Sequence, residues 1–284
     1  MNHPVVVITG AASGIGLALA AECVSQGLAV MMVDRNEEIL MQQANQLRAV
    51  ASATVHAEVC DVSSEVQMLQ LAKTAFATFG HVDVLINNAG VSGPIAPLWE
   101  LSTAQIRQVM DVNVYGTIYG IKAFLPYWFE HNQTAHIVNM ASVYGLCSGS
   151  QLAAYTMSKH AVVALSESLY FDLRRLEKPI QVSVVCPTLT NTNLISNSFA
   201  GEPSLFHTLL NRSLADAQSS QDVAAIIMQG VAQKIFYIFP DAEVKRYCEE
   251  YKNALIDQSA PHEHDLEKLF QTLSRHAKKR ETRF

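Results

Sequence analysis

Seven short apolar runs, rich in β-branched residues, are spaced along this chain, with longer stretches of helical periodicity between them. The runs Val5–Thr9, Ala29–Asp34, Thr54–Asp61, Val84–Asn87, His136–Ala141, Gln181–Cys186 and Lys234–Phe239 are predicted strands. Several are apolar almost throughout, as strands covered on both faces must be. The intervening segments Gly14–Gln26, Glu37–Val50, Glu65–Phe79, Thr103–Phe129, Ala153–Leu176 and Ser220–Ala232 are predicted helices. Such alternation predicts an α/β fold, a parallel sheet with helices on both faces, because parallel neighbours need crossover connections. No repeat, low-complexity tract or Pro/Gly-rich linker interrupts it, so residues 1–240 are expected to form one domain.

Thr188–Gln218 is the longest stretch without a period, and a loop of that length in a compact domain is usually functional. Beyond Pro240 the chain turns polar. Helices are predicted near Ala242–Leu255 and Leu266–Lys278, giving residues 241–284 the character of a helical extension on the domain surface. The last ten residues read equally well as a mobile tail.

Composition narrows the function classes. Of 284 residues 49% are apolar, which supplies a core and argues against disorder. A net charge of -6 disfavours nucleic acid and anionic membranes as partners. Cys23, Cys60, Cys147, Cys186 and Cys248 are odd in number and scattered, which fits reduced thiols in a cytoplasmic protein. The apolar run after Pro4 is too short for a signal peptide, and none approaches the ~20 residues of a membrane helix. His262-Glu263-His264 resembles a metal cluster only superficially and reads better as a solvated loop, so no metal is expected. Lys278-Lys279-Arg280 and Arg283 read as solvated charge.

The first predicted strand runs into Thr9-Gly10-Ala-Ala-Ser13-Gly14-Ile15-Gly16, where a helix begins. Glycines allow a tight turn and close approach to a pyrophosphate, and the helix N-terminus offers free N–H groups to an anion. Asp34 ends the second strand, where a carboxylate can accept hydrogen bonds from ribose hydroxyls and repel a 2′-phosphate. That places NAD ahead of NADP. Arg35 points the other way, since an arginine can hold that phosphate or stack on adenine. Asp61-Val62 can cap the adenine or start a helix together with Ser63.

Tyr155 and Lys159 stand at i and i+4 of a predicted helix, on one face. A nearby positive charge lowers a phenol's pKa from its usual value of about 10. Ser142, thirteen residues earlier, can hold a carbonyl or alcohol oxygen while the tyrosine exchanges a proton with it.

Together these residues resemble the short-chain dehydrogenase/reductase family in its single-domain form. The matching elements are Thr9-Gly10-x3-Gly14-Ile15-Gly16, Asp61-Val62, Asn87-Asn88-Ala89-Gly90, Asn113, Ser142, Tyr155-x3-Lys159 and Pro187-x4-Thr192, spread over about residues 5 to 240. The resemblance implies a doubly wound Rossmann fold of seven parallel strands. It also implies a nicotinamide cofactor and hydride transfer to or from a secondary alcohol or ketone. Tyr155 would be the acid/base, Lys159 would lower its pKa and bind the nicotinamide ribose, and Ser142 would orient the reacting oxygen. Asn113 would hold a relay water, or be a helix-interior polar residue bonded to backbone. Asn88-Ala89-Gly90 would wall the cofactor, or Asn87 and Asn88 would be turn formers. Pro187, Thr190 and Thr192 would lie along the nicotinamide.

One departure stands out: Pro187 is followed by Thr188, where the family usually has glycine. A β-branched residue disfavours positive φ and narrows the pocket. Cofactor binding is expected to survive if that backbone is extended.

The expected substrate is a mostly apolar alcohol or ketone. Candidate contacts are Ser92, Pro94, Val143, Tyr144, Leu146, Gln151, Thr188, Leu194 and Phe199, with Phe206–Leu210 as a lid. Tyr144 and Gln151 read as orienting donors or as surface packing. An NADPH-dependent carbonyl reductase and a non-catalytic dinucleotide sensor are the rival readings. A homodimer or homotetramer is implied by the resemblance, and the apolar Phe124, Trp128, Leu169 and Phe171 suit either such an interface or core packing.

Overall fold

The computed structural model describes residues 3–50, 54–192, 194, 208, 210 and 217–281. Among them, seven strands form one sheet: β1 (Val5–Thr9), β2 (Ala29–Asp34), β3 (Val55–Val59), β4 (Val84–Asn87), β5 (Ala135–Met140), β6 (Ile180–Val185) and β7 (Tyr237–Ile238). Their order is β3-β2-β1-β4-β5-β6-β7, and every pairing is parallel. The order reverses between β1 and β4, which opens a crevice beyond the carboxyl ends of those strands.

Alternate side chains of the strands feed two cores. Val6, Ile8, Val30 and Met32 pack under the helices α1 (Gly14–Ser25) and α2 (Glu37–Val50) on one face. Val5, Val7, Met31 and Leu85 pack against α3 (Glu65–Phe79) on the other. The predicted strands are recovered within a few residues. The last is the exception: Lys234–Phe239 contracts to Tyr237–Ile238, at the edge of the sheet.

The predicted helix Thr103–Phe129 is helical throughout but carries a π turn. It divides into α4 (Thr103–Met110), a π turn over Asp111–Tyr115 and α5 (Gly116–Glu130). Asn113 sits in the π turn, and its side chain is bound outside the helix, as described below. Phe124 and Trp128 on α5 are fully buried, and the Trp128 indole donates to the Val82 carbonyl at 2.8 Å. They belong to the chain's own core, which selects core packing over the interface for these two residues. Phe171, on α6 (Ala153–Arg175), is 69% exposed.

After α7 (Ser220–Ala232) the extension forms α8 (Glu243–Ile256) and α9 (Asp265–Glu281). Val244, Tyr247, Leu266, Phe270 and Leu273 join a third apolar cluster with Tyr144, Leu152 and Tyr155. The extension thus packs on the carboxyl end of the sheet, beside the crevice. No helix among the described residues is long and apolar enough to cross a membrane.

Candidate active site

A cavity of about 760 Å³ occupies the crevice. Its phosphate end is built by the turn between β1 and α1. Gly10 and Gly14 adopt φ of +66° and +54°, which glycine tolerates best. A Cβ on Gly16 would lie 2.1 Å from the Gly10 carbonyl oxygen, so only glycine lets the helix start there. Ser13 occupies the helix N-cap without a side-chain capping bond, and the first turn holds no acid. The opening N–H groups of α1 and its dipole are therefore suited to an anion.

Thr9 and Asn88 clamp the two central strands. The Asn88 and Ala89 N–H groups donate to the Thr9 hydroxyl at 3.0 and 3.1 Å. The Asn88 amide donates back to the Thr9 and Gly10 carbonyls at 2.9 and 3.2 Å. Asp34 lines the cavity further along, holding the turn by accepting from Ala12 N–H at 3.1 Å and Asn36 N–H at 3.0 Å. Asp61 accepts from the Ser63 hydroxyl at 2.7 Å. The cap of α3 is Ser64 instead, which removes the helix-start reading of Asp61. A dinucleotide fits this donor set: a glycine cradle and free N–H groups for the diphosphate, and a carboxylate for a ribose.

At the other end β5 delivers Ser142, and α6 delivers Tyr155 and Lys159. Ser142 is extended, with φ -171°, and its hydroxyl accepts from Tyr144 N–H at 3.2 Å. Burial pushes the Tyr155 phenol up to about 12, while its hydrogen bond with Ser142 pulls the other way. Burial brings the Lys159 ammonium down to about 8. Lys159 Nζ stands 5.6 Å from the Tyr155 ring centroid and donates to the Met140 carbonyl at 2.8 Å. One of its three ammonium protons is committed there.

Asn113 lies behind this wall. Its Oδ1 accepts from Val91 N–H at 2.8 Å, and its Nδ2 donates to the Val91 carbonyl and the Ser158 hydroxyl, each at 2.9 Å. The amide is fully engaged in holding the segment after β4 against α6. That commitment gives a physical reason for the π turn, since a regular helix would aim this side chain elsewhere.

The remaining wall is mostly apolar and includes Val143, Tyr144, Leu152, Leu189, Leu194 and Phe270. Thr188 is not among the residues with positive φ, so the replacement of glycine leaves no strain there. Its hydroxyl donates to Asp241 at 2.7 Å. Thr190 bridges to Gln218, which brings the two ends of the long loop together.

The pattern that defines the short chain dehydrogenase family matches residues 4–203. The chain belongs to that family. This short-chain dehydrogenase is 36% identical over 240 residues to 1-deoxy-11-beta-hydroxypentalenate dehydrogenase of Streptomyces exfoliatus, covering 84% of this chain and 83% of the relative. It is 33% identical over 188 residues to 3beta-hydroxysteroid dehydrogenase 2 of Eggerthella lenta, covering 66% of this chain and 71% of the relative. A short-chain dehydrogenase/reductase from Burkholderia phymatum, solved in complex with NAD, has a TM-score of 0.84 at 34% identity, covering 92% of this chain and 97% of that one. The chain is accordingly an oxidoreductase, and its relatives are dehydrogenases of hydroxyl-bearing compounds.

Of the residues singled out in sequence, this short-chain dehydrogenase brings most to one wall. Gly10, Ser13, Gly14, Ile15, Asp34, Arg35, Asp61, Val62, Asn88, Ala89, Gly90, Ser92, Ser142, Tyr144, Tyr155, Lys159, Pro187, Thr188, Thr190, Thr192 and Leu194 all line the cavity. Gly16 and Asn113 support the wall from behind. Gln151, Pro94 and Leu146 lie off it. Gln151 instead forms a left-handed corner, with φ 62°, whose carbonyl accepts from Ala96 N–H at 3.1 Å. Phe199 and most of Phe206–Leu210 lie outside the described residues. His264 departs from its reading as solvated loop. It is buried, with its ring 6.2 Å from Tyr144 and 5.3 Å from Tyr247. Among the described residues no cluster suited to a metal occurs. Sequence reasoning missed Thr9 as a clamp and Phe270 as a wall residue. The only signal for Phe270 was the spacing of Leu266, Phe270 and Leu273 along one helix face.

Proposed function

We propose that the protein transfers a hydride between a nicotinamide dinucleotide, preferentially NAD, and a secondary alcohol or ketone of mostly apolar character. The observation that carries this reading is the meeting of Ser142, Tyr155 and Lys159 where the dinucleotide-shaped groove opens onto apolar wall. When bound, the nicotinamide ring supplies the hydride acceptor or donor. Ser142 holds the substrate oxygen beside the Tyr155 phenol. In reduction the phenol gives its proton to that oxygen, a role suited to a group that burial keeps protonated. In oxidation Tyr155 must first ionise, favoured by the Ser142 hydrogen bond and the Lys159 charge. Lys159 keeps protons for the ribose beyond the one given to Met140. With the Asn113 side chain engaged, a proton relay there would run over its carbonyl oxygen, which already accepts from Thr117 at 2.9 Å.

Asp34 supports NAD, because its carboxylate sits where a 2′-phosphate would be repelled. The relatives named for hydroxypentalenate and hydroxysteroid substrates support an alicyclic, mostly apolar alcohol. We further propose a homodimer or homotetramer, for which exposed Phe171 is the apolar candidate on α6, and a reducing cytoplasmic setting for the five free cysteines.

A screen of secondary alcohols with NAD and NADP side by side tests the reading. NADH formation with apolar alcohols supports it. Tight dinucleotide binding without turnover on any substrate would favour the sensor instead.

A further inference from the structure

We infer that Phe270, carried on the C-terminal helix α9, is a specificity-determining residue that sets the size limit for the apolar substrate. The inference deepens the apolar-alcohol reading and rests on it. Phe270 is 2% exposed to solvent, yet its side chain lies on the cavity wall that holds Ser142 and Tyr155. Leu266, Phe270 and Leu273 repeat at i, i+4 and i+7, so one face of α9 turns toward the site.

That helix is pinned to the segments flanking the reacting end. The Glu267 carboxylate accepts from Ser150 N–H at 2.7 Å. His264 bonds the Ser148 carbonyl through Nε2 at 2.8 Å and accepts Glu267 N–H at Nδ1 at 3.2 Å. The carbonyl can only accept, so the ring proton lies on Nε2. Ser148 and Ser150 belong to the loop between Ser142 and Tyr155. Across the cavity, Thr188 bonds Asp241 at 2.7 Å, which ties the loop after β6 to the start of the extension. These bonds hold the start of α9 in place, and the buried Phe270 ring it carries subtracts its volume from the substrate space.

The test compares Phe270→Ala, Phe270→Leu and Phe270→Trp with the wild type on cyclopentanol, cyclohexanol and decalol. Dinucleotide affinity is measured in parallel by fluorescence titration. The decalol-to-cyclopentanol ratio of kcat/KM should rise about tenfold or more in Phe270→Ala and fall by a similar factor in Phe270→Trp, the size of effect that pocket methylenes produce. Dinucleotide affinity should stay within about threefold, far inside that range. If Phe270→Ala does not fold, Phe270→Leu and Phe270→Trp must still move the ratio in opposite directions. A ratio unchanged across the variants, with the wild type oxidising these alcohols, overturns the role of Phe270 alone. A wild type that binds NAD but oxidises none of the three overturns the apolar-alcohol reading, and this inference with it.

Discussion

Lys159 donates to the Met140 carbonyl at 2.8 Å while its Nζ lies 5.6 Å from the Tyr155 ring centroid. The ammonium is fixed by β5 and stands beside the phenol without bonding it. The effect on Tyr155 that we propose for it is one of charge, and burial opposes that charge, bringing the Lys159 pKa down to about 8.

A pH dependence of stability follows. Below about 8 the folded and unfolded chains both hold the Lys159 proton, so the cost of the buried charge is fully present. Between there and the ordinary lysine value the folded chain releases it first, and that cost disappears as pH rises. Relative to Lys159→Met, the wild type should gain about 2 kcal/mol between about pH 7 and about pH 9.5, measured by urea unfolding. A difference that stays flat, or falls, contradicts a buried cationic Lys159.

Packing behind the site yields a second prediction. A Cβ on Gly120 would lie 2.2 Å from Asn87 Oδ1, within the buried Asn87–Asn139–Ser166 chain of hydrogen bonds. Gly120→Ala should cost about 1–3 kcal/mol through overpacking. At Gly27, φ is +75° but nothing lies within 4 Å. Gly27→Ala should therefore cost only about 1–2 kcal/mol, from backbone conformation alone. Denaturation midpoints of the two variants check the order.

Much of the fold and the site is legible in sequence because the signals are local. Near-continuous apolar runs mark β1, β2 and β4, and the glycine turn identifies itself by following a strand and opening a helix. Ser142, Tyr155 and Lys159 lie close together in the chain, and it is the glycine turn and the family resemblance, more than their spacing, that join them into one candidate site. The π turn is not legible, since its partners Val91 and Ser158 are distant in sequence. The roof of the site is hidden for the same reason. His264 reaches Ser148 across 116 residues, and a polar segment with two histidines reads as solvated loop until that contact is known.

Cofactor choice gives a third prediction. Asp34→Asn keeps the size and removes the charge on the cavity wall. NADP affinity relative to NAD should rise about tenfold, within the ~1–4 kcal/mol that one charge contributes at contact distance. Equilibrium titration with both dinucleotides measures the ratio, and an unchanged ratio would place selectivity elsewhere, with Arg35 the next residue to substitute.

The most direct measurement is turnover by Tyr155→Phe with NAD and an alcohol the wild type oxidises, alongside NAD titration. The phenol oxygen is the only heavy atom removed, and the ring remains in its buried place. Turnover should fall by about 10²–10⁴-fold or more, the usual worth of a positioned acid/base, while NAD affinity stays within a few-fold. Wild-type turnover by this variant would contradict the assignment of Tyr155 as the proton carrier.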